Sequence, residues 1–297
     1  MKQSLEIIYE DAHIIVVNKP EGMLSVSTSR GREEVTAHSI LCDYMQNSFQ
    51  RGKGSSRERG SSYGRESSYE QGNNSYRNRR EERGNRGGRI FIVHRLDRET
   101  SGLMVFAKSE EIKRLLQENW ERAVTLRGYV AVLNCSAGMT PGPRVLWEAD
   151  PEGSTGTIKS WLKENSAFTV WSSARDNGGQ LAITNYDIKE YNQESRKALI
   201  ELSLDTGRKN QIRVHMQEMG APILGDRKYF GENPALLAKN KKARRLFLHA
   251  YALNFIHPVT GKEMKFSTGI PRQFIAETAA SGENAPGSNR QGRRQNR

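Results

Sequence analysis

The chain has no long apolar run. Its longest, such as Leu103–Ala107, are strand-sized, far short of the ~20 residues a spanning helix needs. Cysteine is nearly absent: Cys42 and Cys135 are the only two among 297 residues, and they form no paired-cysteine motif. That excludes a disulfide framework and fits a reducing, cytoplasmic setting. The six histidines (His13, His38, His94, His215, His249 and His257) make no HExxH and no His/Cys cluster of ligand spacing, so no metal is expected. No P-loop and no strand-linked GxGxxG occurs, which removes the usual support for a nucleotide cofactor. The opening MKQSLEIIYEDAH carries acids early and has no apolar signal core, so no export signal is read there.

Basic charge is what the chain has in excess. Its 46 Lys and Arg outnumber 34 Asp and Glu, for a net +12. That sign favours a polyanionic partner, nucleic acid or an anionic membrane surface. Residues 51–89 hold eleven Lys/Arg against five Glu, and residues 281–297 hold four Arg against one Glu. The remaining body is only mildly basic, so composition locates no nucleic-acid cleft within it.

Residues 50–89 form an Arg/Gly/Ser/Tyr-rich insertion without an aliphatic side chain. Such a segment buries too little surface to offset its ordering entropy, and it is expected to be disordered. As an insertion it is tolerable, because each doubling of a loop costs only ~0.6 kcal/mol in closure entropy. Tyr63, Tyr69 and Tyr76 interleave with Arg and Gly there, a composition suited to sequence-tolerant base stacking and phosphate contact. An RNA tether and a plain solvated linker both stay open. Residues 279–297 read as a second disordered, basic segment.

The rest is patterned. LEIIYEDAHIIVVNKPEG reads as two short strands around Glu10-Asp11-Ala12. Thr36 is placed to cap a helix through Ile40, Leu41, Tyr44 and Met45. Strands follow at Ile90–Val93 and in LMVFAK. Ser109 then caps a helix whose Ile112, Leu115, Leu116, Trp120 and Ala123 share one face. LRGYVAVL, QLAITNYDIKEY and KALIELSLDTG are further strands. The short helix RKNQIRVHMQEMG has Gly220 as its terminator. LFLHAYALNFIHP and EMKFS complete the strands, and Pro271 suits the first turn of a last helix. This order predicts one α+β domain, residues 1–49 with 90–278, built on a large mixed, mostly antiparallel sheet with flanking helices.

The stretch HRLDRETSG, His94 to Gly102, carries the chemistry. Asp97 stands between Arg95 and Arg98 at the mouth of an apolar strand. An aspartate so placed ordinarily caps a turn, and its arginine neighbours ordinarily make solvated ion pairs worth little. Three details favour an oriented acid instead. Thr100-Ser101-Gly102 follows with small hydroxyls and a flexible backbone, the strand behind is apolar enough to be buried, and a basic stretch, GRKNQIRVH, has no obvious acidic partner of its own.

HRLDRETSGLMVFAKS resembles the signature of the RluA-type RNA pseudouridine synthases, which typically reads HRLDxxTSG. VVNKPEGM, LRGYVAVL, AITNYDIKE, LDTGRKNQIRVHM, GAPILGDRKYFG and RRLFLHAYAL fall in that family's usual order from Glu6 to about Phe274, outside the insertion. The resemblance implies a pseudouridine synthase fold with a central RNA-binding cleft. It further implies isomerisation of specific uridines in structured RNA, tRNA or rRNA, by a monomer with no metal or organic cofactor. By motif position Asp97 is the catalytic acid acting on a flipped-out base, and Arg213 is its charge partner. Tyr129 packs against the target base and Leu248 lines the uracil pocket. Arg95 and Arg98 meet the RNA, with Arg95 either entering the base stack or contacting phosphate. The chain departs from the pattern at Asn210 and Ala221, where the family commonly has His, and at the insertion. The catalytic motifs begin so early that no S4-type RNA-binding module is expected ahead of them. The alternative is a non-catalytic RNA-binding protein or chaperone on the same fold, which would have no need of Asp97, Arg213 and Tyr129 together.

The two readings of the insertion separate experimentally. For a tether, removing residues 51–88 is expected to weaken RNA binding at low salt by a margin that shrinks as salt rises, because phosphate contacts release counterions. For a linker, affinity is the same at both salt concentrations.

Overall fold

The computed structural model describes residues 5–27, 34–54, 89–135, 138–230, 238, 240 and 242–279. The remainder of the insertion and the basic C-terminal segment lie outside the described residues. Twelve strands make one mixed sheet. They are β1 (Glu6–Glu10), β2 (Ile14–Lys19), β3 (Phe91–Ile92), β4 (Ser101–Ala107), β5 (Val124–Asn134), β6 (Leu146–Ala149), β7 (Thr155–Glu164), β8 (Val170–Ser173), β9 (Gln180–Asn192), β10 (Lys197–Leu204), β11 (Leu248–Ile256) and β12 (Glu263–Ser267). The order across the sheet is β1-β2-β4-β11-β5-β10-β9-β7-β6, with β3 on β4, β12 on β11 and β8 on β7. The expected α+β class, with its mostly antiparallel sheet, is what the chain forms. Helices among the described residues include α1 (Ala37–Gly54), α2 (Glu110–Glu118), α3 (Trp120–Ala123), α4 (Gln211–Glu218) and α5 (Arg272–Thr278). Among the described residues no helix is long and apolar enough to cross a membrane.

Local chemistry sets several boundaries. Asp11 closes the β1–β2 turn by accepting from the backbone N–H groups of His13 (2.7 Å) and Ile14 (2.8 Å). Thr36 Oγ1 accepts from Ser39 N while Ser39 Oγ accepts from Thr36 N, a reciprocal cap at the start of α1. Ser109 Oγ accepts from Ile112 N, as expected. The apolar stripe that follows is split at Asn119, so Trp120 opens a separate short helix. Pro271 is the residue before α5, one position earlier than expected.

Two expectations need correcting. Helix α1 runs on to Gly54, five residues into the segment expected to lack structure. Strands β6, β7 and β8 were not anticipated. In β7 the inward positions are Ile158, Ser160 and Leu162, and the serine breaks the apolar alternation that marks a strand. Ser160 is buried, and its hydroxyl is satisfied there by His215 Nε2 at 2.9 Å.

All seven residues of β4 are buried. Leu103, Val105 and Ala107 pack on one side with Ile112, Leu116 and Phe255, while Met104 and Phe106 pack on the other with Leu41 and Ile15. Its pairing with β11 is the one parallel strand pair among the described residues, and there His249 stands opposite Ser101. Gly102 has φ +122, and a Cβ on it would lie 2.2 Å from the Ala250 carbonyl oxygen, so no larger residue fits this crossing. The parallel junction brings the segment before β4, which contains Asp97, and the start of β11, Leu248, to the same edge.

Three histidines are held neutral. Burial pushes His215 down to about 3, and burial with a nearby guanidinium pushes His94 and His249 down to about 4. The unfolded chain, whose histidines titrate near ~6.5, binds protons there that the native state refuses, so stability falls as pH drops from ~6.5 toward ~4. Thermal midpoints measured across that range are expected to decline. His215→Gln is expected to flatten the decline while lowering the midpoint at neutral pH.

Candidate active site

Asp97 borders three connected hollows: a cleft of about 570 Å³, a second of about 610 Å³ and a recess of about 70 Å³. Tyr129 and Leu248 line the recess together with Arg95, Asp97 and Arg213. Arg208 and Lys209 edge the first cleft, and Arg227, Lys228 and Arg245 edge the second. Cations of the mildly basic body thus edge both clefts that Asp97 borders, alongside the acids Glu21, Glu99 and Glu121.

The backbone beneath Asp97 is pinned on several sides. Leu96 N donates to Ser25 Oγ (3.1 Å), and the same hydroxyl donates to the Leu96 carbonyl (2.8 Å). Thr100 N donates to the Asp97 carbonyl at 3.2 Å. Val105 N donates to His94 Nε2 (3.1 Å), whose ring packs on Trp120 with 4.8 Å between centroids. The fully buried Lys19 ammonium donates to the carbonyls of Pro20 (3.0 Å), Met23 (2.8 Å) and Arg98 (3.3 Å). Burial pulls its pKa down to about 8, against the opposing pull of Asp97 and Glu99.

The carboxylate itself is held at one oxygen. Asn210 Nδ2 donates to Asp97 Oδ2 at 2.6 Å, and Arg213 Nη1 donates to the same atom at 3.3 Å. Arg213 lies within α4 and is itself buried. Its Nε and Nη2 donate bidentately to the fully buried Asp226, at 2.7 and 2.9 Å. Glu99 is a further 3.7 Å contact of Nη1. Burial works against the Arg213 charge, but the hydrogen bonds and charge of Asp226 outweigh it and raise the pKa above its usual value. Asp226 Oδ1 also accepts from the backbone of Lys228 and Tyr229, each at 2.8 Å.

The expected residues come together, with different roles in the packing. Asp97, Tyr129, Arg213, Leu248 and Arg95 share the recess. Tyr129 is half-buried in β5, and burial, with the Asp97 charge adding to it, raises its hydroxyl to about 12. Leu248 is buried at the first position of β11. Arg95 is exposed and makes no ion pair among the described residues. Arg98 is also exposed, but its Nε donates to the Gly22 carbonyl (3.1 Å), so it braces the loop as well as edging the clefts. Asp226, Tyr229 and Lys19 were not anticipated, and Asn210 was noted only as a departure from the family pattern. Asp226, the one acid of GAPILGDRKYFG, carries no signal of its own in the sequence, where it stands beside Arg227 and Lys228 as a surface acid would.

A family model described as RNA pseudouridylate synthase matches residues 13–218, more than half of the chain. The chain belongs to this family of RNA isomerases. The tRNA pseudouridine synthase C of Haemophilus influenzae is 30% identical over 91% of this chain and 95% of its own length. The ribosomal large subunit pseudouridine synthase D of Escherichia coli is 28% identical over 91% of this chain and 68% of its own length. Against several longer pseudouridine synthases the match spans 65–68% of their length. The solved human RNA pseudouridylate synthase domain containing 4 aligns with TM-score 0.57 at 22% identity, covering 92% of this chain and 91% of that one, which supports the fold.

In this member of the family the Arg213–Asp226 pair is the buried ion pair that holds the site. Arg213→Ala is expected to destabilise the fold by ~3–5 kcal/mol, since it leaves a fully buried carboxylate without its partner. Denaturant unfolding measures this. Arg98→Ala, which removes one exposed hydrogen bond, is expected to change stability by less than ~1 kcal/mol.

Proposed function

We propose that this chain converts uridine to pseudouridine in structured RNA, tRNA or rRNA, with Asp97 acting on a base turned out of its stack. The observation that carries the reading is one carboxylate held at Oδ2 by Asn210 and Arg213, in a recess lined by Tyr129 and Leu248. The isomerisation breaks the N1–C1′ bond and makes a C5–C1′ bond; C5 loses a proton and N1 gains one, with no net redox change. It calls for an oriented acid–base group beside a base and its sugar, and for exclusion of water from the separated pieces.

Each residue has a part. Asp97 faces the reacting nucleotide, and Arg213 holds its Oδ2. Tyr129, which stays protonated with a pKa of about 12, packs on the base and keeps a hydroxyl to donate. Leu248 supplies an apolar wall. Turning a base out costs a few kcal/mol in stacking, and Arg95, exposed and without an ion-pair partner among the described residues, is free to meet the RNA at the vacated position. Arg98, Arg208 and Lys209 line the approach as phosphate contacts. The relatives' names cover tRNA and ribosomal RNA enzymes, and both substrate classes fit this basic rim. The reading includes a monomer working in the cytoplasm without metal or organic cofactor.

Asp97→Asn is expected to abolish pseudouridine formation while RNA affinity stays within a few-fold of the native protein. Product is measured by mapping pseudouridine in total cellular RNA and in transcripts treated with the purified variant. Undiminished product from the variant would sink the assignment, and an unmodified transcript with the native protein would favour a binding protein instead.

A further inference from the structure

Both donors to Asp97 converge on Oδ2, and Oδ1 has no donor among the described residues. The carboxylate is thus held asymmetrically. The shorter of its two contacts comes from Asn210 at 2.6 Å, against 3.3 Å from Arg213. Asn210 is the residue before α4 and has φ +55, a left-handed conformation that asparagine adopts more readily than most residues. Its amide is fixed from behind: Tyr229 Oη donates to Asn210 Oδ1 at 3.1 Å, and Val170 N donates to Tyr229 Oη at 3.0 Å. That chain of bonds decides which way the amide faces, since an oxygen occupied by the tyrosine leaves the NH₂ group for Asp97. Tyr229 also lies under the Arg213 guanidinium, 5.3 Å from ring centroid to Cζ, and its backbone N–H donates to Asp226. One turn, Asp226 to Tyr229, therefore orients both groups that hold Asp97.

We infer that Asn210 and Tyr229 are positioning residues for the reaction: they lock Asp97 through Oδ2 and present Oδ1 to the nucleotide. The donor they supply does not titrate, so the lock is independent of pH over the range in which a histidine at this position would change charge. The inference rests on the functional reading of Asp97. It goes beyond that reading in naming the oxygen offered to substrate and the residues that select it.

Asn210→Gly tests it, because glycine keeps the left-handed backbone and removes only the amide. The expected result is a kcat about 10- to 100-fold lower, from a misplaced carboxylate, with an unshifted thermal midpoint. KM for a transcript substrate is expected to stay within about three-fold of the native value. Tyr229→Phe is expected to lower kcat by less, and to have no further effect in the Asn210→Gly background, since both act through one chain of bonds. Asn210→Asp supplies a readout that a merely structural role would not move. Its introduced carboxyl shares a proton with Asp97 at low pH, mimicking the amide, and loses it at higher pH. The ratio of Asn210→Asp to native kcat is therefore expected to fall as pH rises from about 6 to about 9. Native kcat in Asn210→Gly, a change confined to KM, or a pH-independent Asn210→Asp ratio would each overturn the inference while an inactive Asp97→Asn upholds the functional reading. An active Asp97→Asn would overturn that reading and this inference with it.

Discussion

The site depends on a guanidinium buried against a carboxylate. Two charges taken out of water cost several kcal/mol each, and only close, two-point geometry offsets that. The Arg213–Asp226 pair has such geometry, with both guanidinium bonds under 3 Å and two backbone N–H groups completing the Asp226 shell. With Nε and Nη2 committed to Asp226, the remaining arm, Nη1, points at Asp97. Arg213 thus acts less as a simple counterion to the acid than as a rigid strut fixed at its far end. The strut places a positive charge at the edge of the hollow without letting it relax toward solvent.

A strut is useful only if the acid is also fixed, and the sheet does that. The parallel contact of β4 with β11 requires a bare backbone at Gly102, and this close crossing brings two distant segments of sequence to one edge. Ser25, His94 and Lys19 then tie the segment before β4 to its surroundings, so the backbone at Asp97 is fixed apart from its side chain. Asn210 and Arg213 are left to orient the carboxylate alone. Rigid supports beneath a partly exposed acid suit a reaction whose substrate brings its own flexibility.

What could be read in advance follows a physical divide. Asp97 stands out in its own stretch, an acid between arginines at the mouth of an apolar strand. Tyr129, Arg213 and Leu248 are picked out only by their positions in the family's motifs, because a tyrosine and a leucine on buried strands look like any core residue. Strand β4 was readable from composition alone, as it is buried on both faces. Strand β7 was not, because burial of Ser160 is made tolerable by His215, a residue 55 positions away. The same limit hid Asp226. Its importance lies in an arginine thirteen residues earlier, and no local pattern distinguishes it from a surface acid beside Arg227 and Lys228. The hydrogen bond from Asn210 to Asp97 spans 113 residues and arises only once the fold has formed.

The length of α1 bears on the inserted segment. The described chain leaves the domain at Gly54 and returns near Ile90, whose carbonyl lies 2.8 Å from His38 Nε2 at the opposite end of the helix. At 1.5 Å per residue those two points stand about 24 Å apart. The insertion is therefore anchored like a cable between two separated piers, and not like a loop pinched at its base. Any shortening that leaves α1 intact must keep about eight extended residues to cover the gap, so the helix sets a minimum length for a segment whose sequence looks unconstrained.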